Sequence, residues 1–100
     1  MDTIHAINLV ATNPGVRNGR PHIVDTTITV ADIAVAKVYG MMDADSIADY
    51  YELSLPQVYA ALAYYYDHKA TIDASIQARR ELAAQMKEQR VGSRHPPLFR

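Results

Sequence analysis

The sequence predicts a small α+β protein, mainly α, in which a short N-terminal β ribbon precedes a three-helix, helix-turn-helix-like bundle and a C-terminal helical tail. Three observations carry this reading. Helix-start signatures begin at Thr29, Asp43 and Ser54, β-favouring stretches surround turn signals before Thr29, and a thin apolar stripe at helical spacing follows Thr71. The implied boundaries are 1–28 for the β element, 29–70 for the bundle and 71–100 for a C-terminal, partner-binding helix and tail.

Residues 3–10, TIHAINLV, alternate imperfectly, with Ile4 and Ala6 on one face, as a first strand would. Asn13-Pro14-Gly15 and Asn18-Gly19 are turn signals, His22-Ile23-Val24 is the next strand, and Thr26-Thr27-Ile28 is a third β-favouring run leading into the first helix. Strands this short are marginal alone, so the ribbon is expected to pair with a second copy or to pack on the helices.

Thr29 caps the first helix with Asp32 as its box partner, and Ile28 and Ile33 form a hydrophobic staple. Gly40 is placed to end that helix in the left-handed conformation. Asp43 caps the second helix, Met42 and Ile47 forming its staple, while Asp43 and Asp45 sit where the helix dipole favours negative charge. Ser54 and Gln57 make the third box, with Leu53 and Val58 as the staple and Pro56 in the first turn, where no needed donor is lost. Only Glu52 and Leu53 remain between the second and third helices, a spacing that suits a helix-turn-helix; a generic small helical bundle would give the same signals.

In the third helix Leu55, Val58, Tyr59, Leu62 and Tyr66 recur at helical spacing as the expected apolar face. Tyr64, Tyr65 and Tyr66 stand about 100° apart around the axis, so at least one faces away from the core. They are either tyrosines at the domain edge or an oligomer interface, where tyrosine is enriched. A fourth helix is expected from Thr71 to about Gln89, with Ile72, Ile76, Ala83 and Met86 on one stripe and Leu82 beside it. Arg79, Arg80, Lys87 and Arg90 fill much of the remainder. So thin a stripe suits a helix that docks on another chain, or a tail that frays. Gly92 and then Pro96-Pro97 are expected to end it, leaving Leu98-Phe99-Arg100 as an apolar terminus.

With 100 residues and 49% hydrophobic content, the chain has room for one modest core and gains from association, so a homo-oligomer or a partner is expected. There is no cysteine, hence no disulfide framework or thiolate site, which suits a reducing, cytoplasmic location. The N-terminus lacks a basic stretch followed by a long apolar run, and no window approaches a membrane-spanning length, so neither secretion nor a membrane partner is expected. Charge is segregated. Residues 30–70 carry two lysines against six carboxylates, whereas residues 71–100 carry six cations against three carboxylates.

Asp45, Asp49 and Glu52 share one side of the second helix, but no histidine accompanies them, and they read as a solvated acidic face. His5, His22, His68 and His95 are scattered without ligand spacing, and Gly15 and Gly19 lie in turns rather than in a phosphate-binding loop. No nucleophile stands with a base. Neither enzymatic activity, nor a metal, nor a cofactor is expected. For DNA, the start of the third helix offers Ser54 to a phosphate, Gln57 to an adenine, and Tyr59, with Arg17 and Arg20 as candidate compensating charges. The acidic second helix opposes this, because phosphate neutralisation dominates affinity.

The order of these features resembles the small bacterial family known as domain of unknown function 433. The matching residues are Asn13-Pro14-Gly15, Gly19-Arg20-Pro21, Ile23, Thr26, Ile28, Val30, Ile33, Gly40, Ile47, Tyr50, Leu53, Val58, Ala60, Ala61 and Leu62, across roughly residues 4–70. After Ile23 the family usually reads glycine-threonine-arginine-isoleucine where this chain has Asp25-Thr26-Thr27-Ile28, which implies a different turn and removes one candidate phosphate contact. Members resemble antitoxins encoded beside a PIN-like ribonuclease toxin. The resemblance implies that this chain binds and neutralises such a toxin from an adjacent reading frame and also represses its own operon by binding operator DNA as a dimer. The candidate toxin contacts are Ile72, Ile76, Leu82 and Met86 as apolar anchors, with Arg79 and Arg80 directed at acidic groups. The alternatives are a stand-alone helix-turn-helix regulator and an oligomeric interaction module that binds no DNA.

Overall fold

The structure, a computed structural model, describes residues 1–93, and side chains as far as residue 89. It is mainly helical with a two-stranded antiparallel ribbon, in the order β1 (Val10–Ala11), β2 (His22–Ile23), α1 (Val30–Val38), α2 (Ala44–Tyr51), α3 (Leu55–Asp67) and α4 (Lys69–Ser93). The chain divides into two compact units, Met1–Lys69 and a second that begins at Ala70, so the ribbon and the three-helix bundle form one body. No described helix is long and apolar enough to cross a membrane.

The ribbon is shorter than the sequence pattern suggests. Val10 pairs with Ile23 and Ala11 with His22, and residues 3–9 of the expected first strand are not in a strand. The cause lies in β2. After Val24 N–H donates to the Leu9 carbonyl at 3.0 Å, Asp25 takes a left-handed φ of 63°, and both the N–H and the hydroxyl of Thr26 turn back to the Ile23 carbonyl. The partner strand therefore leaves before it can meet residues 3–8. The same turn leaves the β-favouring run Thr26–Ile28 out of any strand, and a single bridge, His22 to Thr29, follows it. Asp25 keeps the backbone conformation that a glycine would suit, so its presence does not abolish the turn.

The helix starts follow the local chemistry. The Thr29 side chain accepts from Asp32 N–H at 3.0 Å while Asp32 Oδ2 accepts from Thr29 N–H at 3.0 Å; Ser54 and Gln57 repeat the exchange at 3.3 and 2.7 Å. Asp43 Oδ1 accepts from Ser46 N–H at 2.8 Å. This bond, then the Ser46 side chain, holds the Asp43 carboxyl below the usual aspartate range, with Lys37 adding a smaller pull. Because the folded state lowers that value, the cap contributes fully above the ordinary aspartate range and is lost as pH falls through the lowered folded value. Asp43→Asn keeps an acceptor without the charge, so it is expected to flatten the acid side of the stability profile; unchanged urea midpoints from neutral to acid pH would contradict this.

The end of α1 differs from expectation, whereas α2 stops before Glu52 and Leu53 as the spacing implies. At the end of α1, Gly40 does not take the left-handed conformation; Met41 does, with φ 54°. Gly40 is needed for closeness instead, since a Cβ there would stand 2.7 Å from the Ala36 carbonyl oxygen. α2 ends in a Schellman motif: Leu53 N–H donates to Ala48 O at 2.8 Å, Glu52 N–H donates to Asp49 O at 3.3 Å, and Glu52 is left-handed at φ 57°, ψ 47°. A side chain there costs roughly 1–2 kcal/mol against glycine, less the entropy that glycine loses, so Glu52→Gly is expected to stabilise by about 0.5–1 kcal/mol. A lower urea midpoint for that variant would show that the Glu52 side chain contributes more than its backbone costs.

α1, α2 and α3 pack on one another, and α3 also packs on both strands. The core of this unit is Ile23, Val30, Ala31, Ile33, Ala34, Ile47, Val58, Ala61, Leu62 and Tyr65, with Thr29 and His22 as its buried polar members. The buried face of α3 is thus Val58, Ala61, Leu62 and Tyr65, rotated from the expected one; Leu55, Tyr59 and Tyr66 are exposed. Small Ala61 lies in the stripe that faces the neighbouring elements, a place that a count of large side chains overlooks. α4 starts at Lys69, directly after the α3 cap His68, rather than at Thr71, and it continues through Gly92, whose cost of about 1 kcal/mol against alanine does not stop a helix. The expected stop at Pro96-Pro97, the terminus Leu98-Phe99-Arg100, and Arg94 and His95 lie outside the described residues.

Candidate functional site

Of the sequence-predicted DNA contacts, the two loop arginines bond within the protein. Three successive left-handed residues, Arg17 (φ 46°), Asn18 (φ 59°) and Gly19 (φ 79°), turn the loop so that Arg17 reaches α1. Its Nη1 donates to the Thr27 carbonyl at 3.0 Å and to Asp32 Oδ2 at 3.2 Å, the oxygen that also serves the Thr29 cap. Arg20 Nε donates to the Arg17 carbonyl at 2.9 Å. Tyr51 of α2 adjoins this cluster: burial first, then the Asp32 carboxylate and Tyr50, push its hydroxyl above the usual tyrosine range, against a smaller opposing pull from Arg17. Arg17 therefore fastens the loop to the start of α1, and Arg20 closes the loop on itself.

At the start of α3, reading an adenine through a glutamine side chain takes both its amide oxygen and its amide nitrogen. Gln57 Oε1 is already engaged by Ser54 N–H at 2.7 Å, so bidentate reading would cost the cap. Ser54 and Tyr59 are exposed there, as are the carboxylate-bearing Asp43, Asp45, Asp49 and Glu52 of the preceding helix. Among the described residues no three acidic or histidine side chains gather as a metal site.

The three successive tyrosines separate as the helix geometry requires. Tyr65 is buried at 1% exposure, so it belongs to the core and is not an oligomer contact. Tyr64 is half-buried and stacks on His68, ring centroids 4.0 Å apart and planes 16° apart, while Tyr66 is exposed. Lys69 Nζ lies 5.9 Å from the Tyr65 ring centroid, within cation–π range.

In α4, the expected anchors Ile72 and Ile76 are buried and Arg79 is half-buried. The remaining anchors, Leu82 and Met86, are 55% and 57% exposed, and every residue from Arg80 to Gln89 is exposed. Leu82 and Met86 are one turn apart and so share a face. Gln77 Nε2 donates to Glu81 Oε1 at 3.3 Å along the same helix.

Two apolar surfaces are left open on the first unit, one of them made of residues that the sequence pattern assigned to the core face of α3. One is an exposed apolar stripe on α3, Leu55, Tyr59 and Tyr66, accompanied on α2 by Tyr50 at 72% exposure. The other is a groove lined by Ile7, Val10, Ala60, Ala63, Tyr64 and Asp67, between the N-terminal segment and α3. The second has a readable signal, because Thr3–Thr12 contains no Lys, Arg, Asp, Glu, Gly or Pro.

Comparison with curated proteins gives no match, and comparison with solved structures gives none. A family model described as a protein of unknown function (DUF433) matches residues 10–65, from β1 through the buried face of α3. That match spans more than half of the chain, which belongs to this family.

Proposed function

We propose that this protein is an antitoxin-like interaction module that binds and neutralises a PIN-like ribonuclease toxin through α4, acting in the cytoplasm as a homo-oligomer. The observation that carries this reading is the second half of α4. A helix whose residues Arg80–Gln89 are all exposed, with Leu82 and Met86 on one face and two cations and two carboxylates (Arg80, Lys87, Glu81, Glu88) along the same stretch, suits a partner with an apolar groove and a rim of mixed charge. Burying those two side chains contributes about 1.5–3 kcal/mol each.

The geometry gives less to operator binding. Arg17, Arg20 and Gln57 already serve the fold, and exposed carboxylates surround the motif. Operator repression therefore stays the secondary part of the proposal, one that would draw on Ser54, Tyr59 and the basic residues beyond Lys87.

The test is functional. Co-expression with the product of the adjacent reading frame is expected to relieve that product's growth arrest, and Leu82→Glu with Met86→Glu is expected to abolish the relief while leaving the circular-dichroism melt of the chain unchanged. Full relief by the double variant would remove α4 from the mechanism. Growth unaffected by the neighbour alone would remove the toxin.

A further inference from the structure

The two strands of the ribbon have unequal edges. β2 is covered on its outer side by the chain's own return, through Ile23 N–H to Ile28 O at 2.9 Å, Val30 N–H to Pro21 O at 2.9 Å and the His22–Thr29 bridge. β1 has β2 on one side and no strand on the other among the described residues. An open edge presents unpaired N–H and C=O groups, and proteins ordinarily protect it with lysine, proline or an inward-pointing charge. Thr3–Thr12 has none of these.

The segment before β1 lacks a partner too. Residues 1–8 are all exposed, form no strand and appear in no hydrogen bond of the described residues, although their alternation is that of a strand. Ile4 is 90% and Ile7 77% exposed. Ile7 and Val10 line a groove with Ala60, Ala63, Tyr64 and Asp67 of α3, a mostly apolar surface closed at one residue by a carboxylate.

We propose that residues 3–11 pair antiparallel with the same segment of a second copy, making one continuous sheet in the order β2, β1, β1 of the second copy, β2 of the second copy. The occupant is specified by the edge itself. A two-fold contact needs a self-complementary patch, and this one is uncharged apart from His5, apolar at Ile4 and Ile7, and equipped with the unpaired backbone groups that the opposing edge requires. Pairing satisfies both arms at once, and in the extended strand Ile4, Ala6, Asn8 and Val10 share one face while Ile7 stands on the other, opposite its own copy at the two-fold axis. The inference does not rest on the toxin-binding reading, because it uses none of α4.

The chain has no cysteine, so an introduced one reports without background. The full chain is expected to sediment as a dimer, with Ile7→Cys forming a disulfide-linked dimer on oxidation and Tyr50→Cys, equally exposed on α2, staying unlinked. Ile7→Lys is expected to weaken the dimer by roughly tenfold or more, with unchanged helical signal because this side chain lies outside the core. A monomeric full chain would overturn the proposal. So would a dimer that Ile7→Lys leaves intact and Tyr66→Lys dissociates, which would place the contact on the exposed stripe of α3.

Discussion

Tyr65→Ala is expected to lower the unfolding free energy by about 3–5 kcal/mol, the range for emptying a large aromatic site in a packed core. Tyr65 is 1% exposed and completes the Val58, Ala61, Leu62 stripe on α3, so its removal leaves a cavity among elements that cannot simply close on it. For a domain of this size the loss is a large share of total stability. Tyr66→Ala, one position on, removes a side chain that is 56% exposed and is expected to change stability by no more than about 0.5 kcal/mol. Urea unfolding followed by circular dichroism compares the two directly. Equal shifts would mean that the face of α3 is wrongly assigned.

Gly40→Ala carries the second large effect. The new Cβ would lie 2.7 Å from the Ala36 carbonyl oxygen, a backbone atom held in the last turn of α1 while Met42 N–H donates to it at 3.1 Å. Neither can yield cheaply, and overpacking of this kind costs about 1–3 kcal/mol. Met41→Gly reverses the sign of the argument. Met41 holds φ 54° and is 87% exposed, so glycine there relieves the left-handed conformation and loses little packing. A stabilising Gly40→Ala, or a strongly destabilising Met41→Gly, would return the left-handed residue to Gly40.

These two sites show what the residues reveal in advance. The caps at Thr29, Asp43 and Ser54 were legible because a capping bond joins positions three apart, and the sequence carries both partners. The family resemblance was legible for the same reason, and the matched segment, 10–65, lies inside the 4–70 read from motifs. Non-local partners were not legible. Nothing near Arg17 announces that it bonds Asp32 fifteen positions away, and both loop arginines consequently read as free cations. The length of the first strand depended on where β2 turns off at Asp25, not on residues 3–10 themselves. The face of α3 is hidden from the pattern because apolar bulk at Leu55, Tyr59 and Tyr66 outweighs the small residue Ala61, which lies in the packed stripe. In α4 the stripe was read as continuous; burial divides it after Ile76, and only Leu82 and Met86 remain open as apolar anchors.

In the function proposed above, those two side chains dock the chain on its partner. The most direct measurement of this is titration calorimetry of the full chain, and of its Leu82→Glu, Met86→Glu variant, against the purified product of the adjacent reading frame. Tight binding by the natural chain and loss of about 3 kcal/mol or more in the variant is the predicted result. Equal affinity of the two, or no binding by either, would contradict it.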